Sequence, residues 1–191
     1  MLRLYSILAA LVAIASAVTA MTAASELNYA LPESFPKVLL QSDCYMPLNF
    51  SVFGLELWFP APNNPNNFTG SFVYMDMGTN ITTNCQRNAT SPNVGGEGHA
   101  ERWGCDVPFV QFIWQNGTLT IIEKACPFTG TASTFEASGS VEPVFNCTAT
   151  AAPQWPSGDG SYCQAIDGQI NGNFTSLQPA PPAKFVDMEV S

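Results

Sequence analysis

Charge is scarce in this sequence. Only 11% of its 191 residues are charged, against about a quarter in an ordinary soluble domain, and six Lys and Arg face 15 Asp and Glu for a formal net charge of −9. A nucleic-acid binder needs clustered cations to displace counterions from phosphates. Arg87, Arg102, Lys124 and Lys184 instead stand apart in an acidic chain, so no nucleic-acid partner is expected. Histidine is almost missing, His99 being the single imidazole. With no Cys-x-x-Cys spacing and no Cys/His cluster either, a structural zinc site would need an unusual ligand set, and no metal or cofactor is expected. No Gly-x-Ser-x-Gly elbow occurs, which removes a common setting for a Ser-His-Asp site. Long apolar runs are absent beyond the N-terminus. The most apolar stretch, Val52 to Phe59, is interrupted by Glu56 and stopped by Pro60, well short of the ~20 residues of a membrane helix. No hydrophobic tail follows small residues at the C-terminus, so a lipid-anchor signal is lacking too.

What is present points outward from the cell. Met1-Leu2-Arg3 supplies a short positive region, Ile7 to Val18 is an uncharged apolar run, and Val18-Thr19-Ala20 fits the small-residue rule for cleavage. Residues 1–20 are therefore expected to be a signal peptide, with Met21 opening the mature, secreted chain. Asn-x-Ser/Thr sequons begin at Asn49, Asn67, Asn80, Asn88, Asn116, Asn146 and Asn173. With 14 Asn and 30 Ser plus Thr in the chain, chance would give about two. Sugars at several of them would provide the hydration that the missing charges do not. Six cysteines, Cys44, Cys85, Cys105, Cys126, Cys147 and Cys163, all follow the leader, and their even number in an oxidising compartment suggests three disulfides among fifteen formal pairings. Each would stabilise the fold by about 2–4 kcal/mol.

The body of the chain reads as β structure. Phe109 to Gln115, then Asn116-Gly117, then Thr118 to Glu123 is a two-residue hairpin, because Asn-Gly tolerates the positive φ angles of a type I′ turn. Val110, Phe112 and Trp114 share one of its faces. Phe53, Leu55, Leu57 and Phe59 alternate with Val52, Glu56 and Trp58, the period-two signature of a strand with at least one buried face. Gly70 to Met77 repeats the pattern, and later candidates are Thr134 to Val141, Val144 to Thr150 and Ala165 to Leu177, the last broken by Asp167-Gly168 and Asn171-Gly172. Short strands at this spacing predict an all-β fold, a compact antiparallel β-barrel or sandwich stapled by disulfides. With 46% hydrophobic residues the chain has enough apolar mass for one core. The expected plan is an N-terminal extension over 21–43, the β domain over 44–177 and a Pro-rich disordered tail over 178–191. The loop from Ser91 to Gly98 is Gly-rich and must be mobile or stapled.

These residues together resemble a known family. The order Cys44, Thr82-Thr83-Asn84-Cys85, a polar loop, Trp103-Gly104-Cys105, the hairpin from Phe109 to Ile121, Cys147 and Tyr162-Cys163-Gln164 is similar to that of the fungal secreted family typified by the major allergen of the mould Alternaria. The resemblance spans about residues 44 to 170. It implies a compact β-barrel, allergenicity and effector-like action on plant defences, a host protein or small ligand as partner, and no enzymatic mechanism. It also implies internal disulfides between Cys85 and Cys105 and between Cys147 and Cys163. Cys44 matches a family cysteine that joins two subunits, but this chain departs from the pattern by carrying Cys126. Cys44 is therefore expected to pair with Cys126 within the chain, leaving monomer or homodimer open.

Catalytic readings find little support. His99 lies in a Gly- and Glu-containing loop and reads as solvated. Asp76, Glu97, Glu101, Asp106, Glu123 and Glu136 could supply the two carboxylates of a glycoside hydrolase, but any acidic β protein carries such pairs. Among Trp58, Trp103, Trp114 and Trp155, the first three read as packing or as possible stacking platforms. Trp155, between Pro153 and Pro156 in a cysteine-bracketed loop, is the ring expected to reach a partner. The expected function is binding without catalysis, with a cell-wall or polysaccharide-associated module as the alternative and a small secreted hydrolase third.

Overall fold

A computed structural model describes residues 27–36, 44–64, 66–96, 98–127, 135–149 and 159–181. The expected signal peptide, Glu97 and Trp155 lie outside the described residues. Those residues contain eleven strands and no helix. The strands are β1 (Asn49–Pro60), β2 (Thr69–Asp76), β3 (Ile81–Arg87), β4 (Trp103–Gly104), β5 (Val110–Gln115) and β6 (Thr118–Lys124). They continue with β7 (Phe135–Val141), β8 (Phe145–Ala149), β9 (Gly160–Ala165), β10 (Gln169–Asn173) and β11 (Ser176–Pro179). All pairings are antiparallel, in one sheet ordered β3-β2-β1-β9-β8 with β10 also on β1, and a second ordered β11-β7-β6-β5-β4. The apolar faces of the two sheets meet in a common core, as two alternating sheets must to leave water. Among the described residues the β3 and β4 borders meet in an isolated bridge between Cys85 and Cys105, and of the two expected architectures the sandwich fits.

The long strand β1 organises the larger sheet. Along one side it pairs with β2; along the other its first half pairs with β10 and its second half with β9. The change of partner falls at Gly54, whose φ of +59° belongs to the left-handed region that glycine enters without a Cβ clash. A register shift between Phe53 and Glu56 marks a bulge there. The strand has its expected buried face, made of Phe50, Val52, Leu55 and Leu57, and the bulge leaves Phe53 on the other side, only partly covered. Strict alternation fails because the extra residue moves every side chain before it to the opposite face.

The β5–β6 hairpin turns through Asn116 (φ +53°) and Gly117 (φ +81°), the signs a type I′ turn requires. Val110 and Phe112 are buried, and Trp114 rests on Phe59 and Phe145, with ring centroids 6.3 and 5.7 Å away. Strands β3, β4 and β9 have no counterpart among the expected elements. In β3 two of the four inward positions are Thr83 and Arg87, so the apolar period is broken in sequence. Arg87 fills its place by lying 3.7 Å over the Phe68 ring and 4.4 Å from the Trp103 ring, with a hydrogen bond to the Phe68 carbonyl. Its stem packs as a hydrophobe while the rings stabilise the cation.

The stretch from Ala165 to Leu177 is broken at Asp167-Gly168 as expected, whereas Asn171 and Gly172 stay within β10 and the second break falls at Phe174-Thr175. After β10, buried Phe174 and then Thr175 carry the chain from the larger to the smaller sheet, their N–H groups donating to Leu48 and Ser138 carbonyls. Strand β11 then runs on to Pro179, so Gln178 and Pro179, placed by the sequence in a disordered tail, pair with Glu136 and Phe135. An edge strand tolerates this proline because no neighbour needs its missing N–H. Upstream, Tyr29 and Phe35 of the N-terminal extension are buried, with Phe35 edge-on to Phe135 at 4.9 Å. Three disulfides join Cys44 to Cys126, Cys85 to Cys105 and Cys147 to Cys163.

Candidate functional site

The side chains with the most perturbed protonation lie between the sheets. Alternation along β2 turns Phe72, Tyr74 and Asp76 inward, and alternation along β6 turns Leu119, Ile121 and Glu123 toward them. Glu123 is 0% and Asp76 1% exposed. The Tyr74 hydroxyl donates to Oε2 of Glu123, and buried Thr79 faces the same carboxyl. Asp76 closes the β2–β3 turn by accepting the Gly78 N–H at 2.5 Å, with the Leu48 and Thr79 N–H groups also directed at it. Tyr29 reaches in from the N-terminal extension and donates to the Pro47 carbonyl at 2.6 Å.

Burial dominates the electrostatics of this cluster. Desolvation pushes the Glu123 carboxyl up to about 8, with the neighbouring Asp76 charge adding to the rise. Asp76 rises less, to about 6, because three backbone N–H groups stabilise its ionised form against the same desolvation. Both tyrosines are raised, first by burial and then by the two carboxyls. Among the described residues no lysine or arginine forms an ion pair with either acid. Two acids held at different protonation are what acid-base catalysis uses, but at this burial no substrate meets them. Their chemistry is to bind protons inside the fold.

Other candidate residues are scattered. Glu101, Asp106 and His99 are exposed and apart from this cluster. Glu136 points to the outer face of the smaller sheet, yet is only 3% exposed because the 91–102 loop folds over it. Arg102 from that loop meets Glu136 at 2.8 Å, and Asn93 Oδ1 accepts the N–H groups of Gly95 and Arg102, fixing the segment in place. Of the tryptophans, Trp58 and Trp103 are buried and Trp114 is half-buried. All seven sequon asparagines are exposed, and Asn49 pairs directly with Asn173 across β1 and β10.

Sequence reasoning passed over Tyr29, Tyr74 and Thr79, and a shallow groove of about 320 Å³ on the outer face of the larger sheet. Asn146, Thr148, Tyr162, Gln164, Ala165 and Ile166 line it. Only the inward parity of Asp76 along β2 hinted at the buried pair.

No family model matches the chain, and no curated protein matches it in sequence. Two crystal structures of the Alternaria alternata major allergen Alt a 1 are similar to it. One is 14% identical, covers 71% of this chain and 96% of the allergen chain, and has a TM-score of 0.45. The other is also 14% identical with a TM-score of 0.45, over 70% of this chain and 89% of its own.

Proposed function

We propose that this chain is a secreted, N-glycosylated, allergen-like β-sandwich of fungal origin that acts outside the cell by binding a host protein or small ligand, without catalysis. The observation that carries the extracellular part is the placement of the sequons: every one of the seven asparagines is exposed, in strands and turns alike. Three disulfides agree with an oxidising compartment. The fungal origin rests on the resemblance in cysteine order.

The binding part is supported by where the reactive groups lie. Asp76 and Glu123, whose raised pKa values would suit an acid and a base, are consumed by the core. The outer faces present amides and hydroxyls instead, such as the Ser51, Asn171 and Gln169 network and the Thr120–Ser140 pair. Such uncharged polar surfaces suit recognition of neutral polar partners.

Expression in a eukaryotic secretory host tests this reading. The protein is expected in the medium, to lose mass at several sequons on enzymatic deglycosylation, and to give the three disulfides in unreduced peptide maps. Retention in the cell as a bare polypeptide would overturn the extracellular reading. A hydrolytic turnover abolished by neutralising one carboxylate would overturn the non-catalytic one.

A further inference from the structure

The outer face of the larger sheet carries two rows of side chains at its β8 end. One row runs Asn146, Gln164, Glu56 across β8, β9 and β1, and the next runs Thr148, Tyr162, Trp58. Gln164 donates to Glu56 at 3.3 Å, and the Tyr162 hydroxyl also engages that carboxylate. Trp58 is sealed at 0% exposure, so Tyr162 is the ring left facing the groove. One aromatic face flanked by two carboxamides and a hydroxyl is chemistry that recognises a neutral sugar: the ring packs against its C–H face, and the polar groups exchange hydrogen bonds with its hydroxyls and amide.

What singles out the occupant is that Asn146 and Thr148, two walls of this groove, are also the first and third residues of a sequon. A sugar joined to Asn146 starts inside the groove, and its tether supplies the high effective concentration that a free sugar would lack. Among the described residues strand β8 is also an edge strand, with Asn146, Cys147, Thr148 and Ala149 all exposed. An open edge is a template for unwanted strand pairing.

We propose that the first sugar of a glycan on Asn146 sits in the β8–β9 groove, packed on Tyr162 and hydrogen-bonded to Gln164, and so shields the open β8 edge. This rests on the secretory reading above. In the transfer, the Asn146 amide nitrogen bonds to the anomeric carbon of a lipid-pyrophosphate-linked oligosaccharide. The nitrogen gives up a proton, and the lipid pyrophosphate leaves with the electron pair of the broken C–O bond.

The test uses the full chain secreted from a eukaryotic host with ¹³C-labelled sugars, trimmed enzymatically to the first N-acetylglucosamine at each site. Glycopeptide mass spectrometry reads occupancy at Asn146, and NMR reads the sugar. Its signals are expected upfield of those in the isolated glycopeptide, through the Tyr162 ring current. Tyr162→Ala should return them, and Tyr162→Leu, which keeps bulk without the ring, guards against a misfolded alanine variant. In melting, Asn146→Gln and Tyr162→Leu should be non-additive by about 2–4 °C. An occupied but unshifted sugar overturns the inference and leaves the secretory reading standing, as does a bare Asn146 beside other occupied sequons. A chain bare at every sequon overturns both. If Asn146→Gln protein binds free chitin or β-glucan oligomers through Tyr162, the groove belongs to a foreign saccharide and the inference is likewise overturned.

Discussion

Tyr74 on β2 of the larger sheet donates its hydroxyl hydrogen bond to Glu123 on β6 of the smaller one, 49 residues away in sequence. The bond crosses the middle of the sandwich, and Asp76, two residues after Tyr74 on the same inward face, brings a second carboxyl beside it. Binding of protons by this pair is therefore coupled to closure of the two sheets.

Stability should depend on pH with a definite sign. Asp76 rises from 3.8 to about 6 and Glu123 from 4.5 to about 8 on folding, so the native state holds protons that the unfolded chain releases. The stabilisation is complete below the unfolded values, near pH 4, and is lost as pH rises through 6 and then 8. Unfolding free energies from urea titrations should fall between pH 5 and pH 9 by an amount on the order of a few kcal/mol, with the midpoints falling in step. Glu123→Gln should flatten the alkaline part of the curve. A midpoint that is constant or rises over that range would refute this account of the pair.

Tyr74→Phe deletes the donor to Glu123 while keeping the ring that packs 6.2 Å from Phe50. Leaving a buried acceptor unsatisfied costs about 1–3 kcal/mol. Equilibrium unfolding at pH 6 checks it, and a variant as stable as the parent would show that Glu123 finds another partner.

Glu136→Ala should destabilise more than a surface charge would, by about 3–5 kcal/mol, because it strands the Arg102 guanidinium under the 91–102 loop. Replacing both partners with apolar residues of similar volume, Arg102→Met with Glu136→Leu, should recover most of the loss. Thermal melts of the three variants distinguish this from a merely local effect of shortening residue 136.

At the β1 bulge, Gly54→Val forces a β-branched residue to φ +59°. The expected cost is at least about 1–2 kcal/mol. Nothing lies within 4 Å of a Cβ built there, so the loss is conformational and Gly54→Asn, which tolerates the left-handed region, should lose less. Equal losses in both variants would point to a different cause.

Removing the Cys44–Cys126 bridge by a double serine substitution opens a crosslink spanning 82 residues. Chain entropy predicts a loss of about 4 kcal/mol. It should exceed the effect of opening the 16-residue Cys147–Cys163 crosslink. Comparable midpoints for the two double variants in urea would contradict the loop-length argument.

Much of the molecule was legible because its signals are local. Period-two alternation announced β1, β2 and the β5–β6 hairpin, and Asn116-Gly117 set the turn through backbone sterics that act over two residues. Strand β3 escaped notice because Arg87 occupies an inward position that sequence logic reserves for an apolar side chain. Its partners, Phe68 and Trp103, come from outside the strand.

Consecutive residues are enough to show that the chain alternates like β structure, where its tightest hairpin turns, and how many thiols and sequons it carries. Only the assembled fold shows that a bulge at Gly54 turns Phe53 out of the core while Leu55 and Leu57 stay in it, that Arg102 and Glu136 meet under a folded-back loop, and that Asp76 and Glu123 share one buried space. The groove beside Asn146 is equally a tertiary product, since its walls come from two strands in register. The physical reason is common to all of these. Turn chemistry and side-chain parity are properties of consecutive residues, whereas desolvation, ion pairing and cross-strand register depend on which distant strands come to lie together.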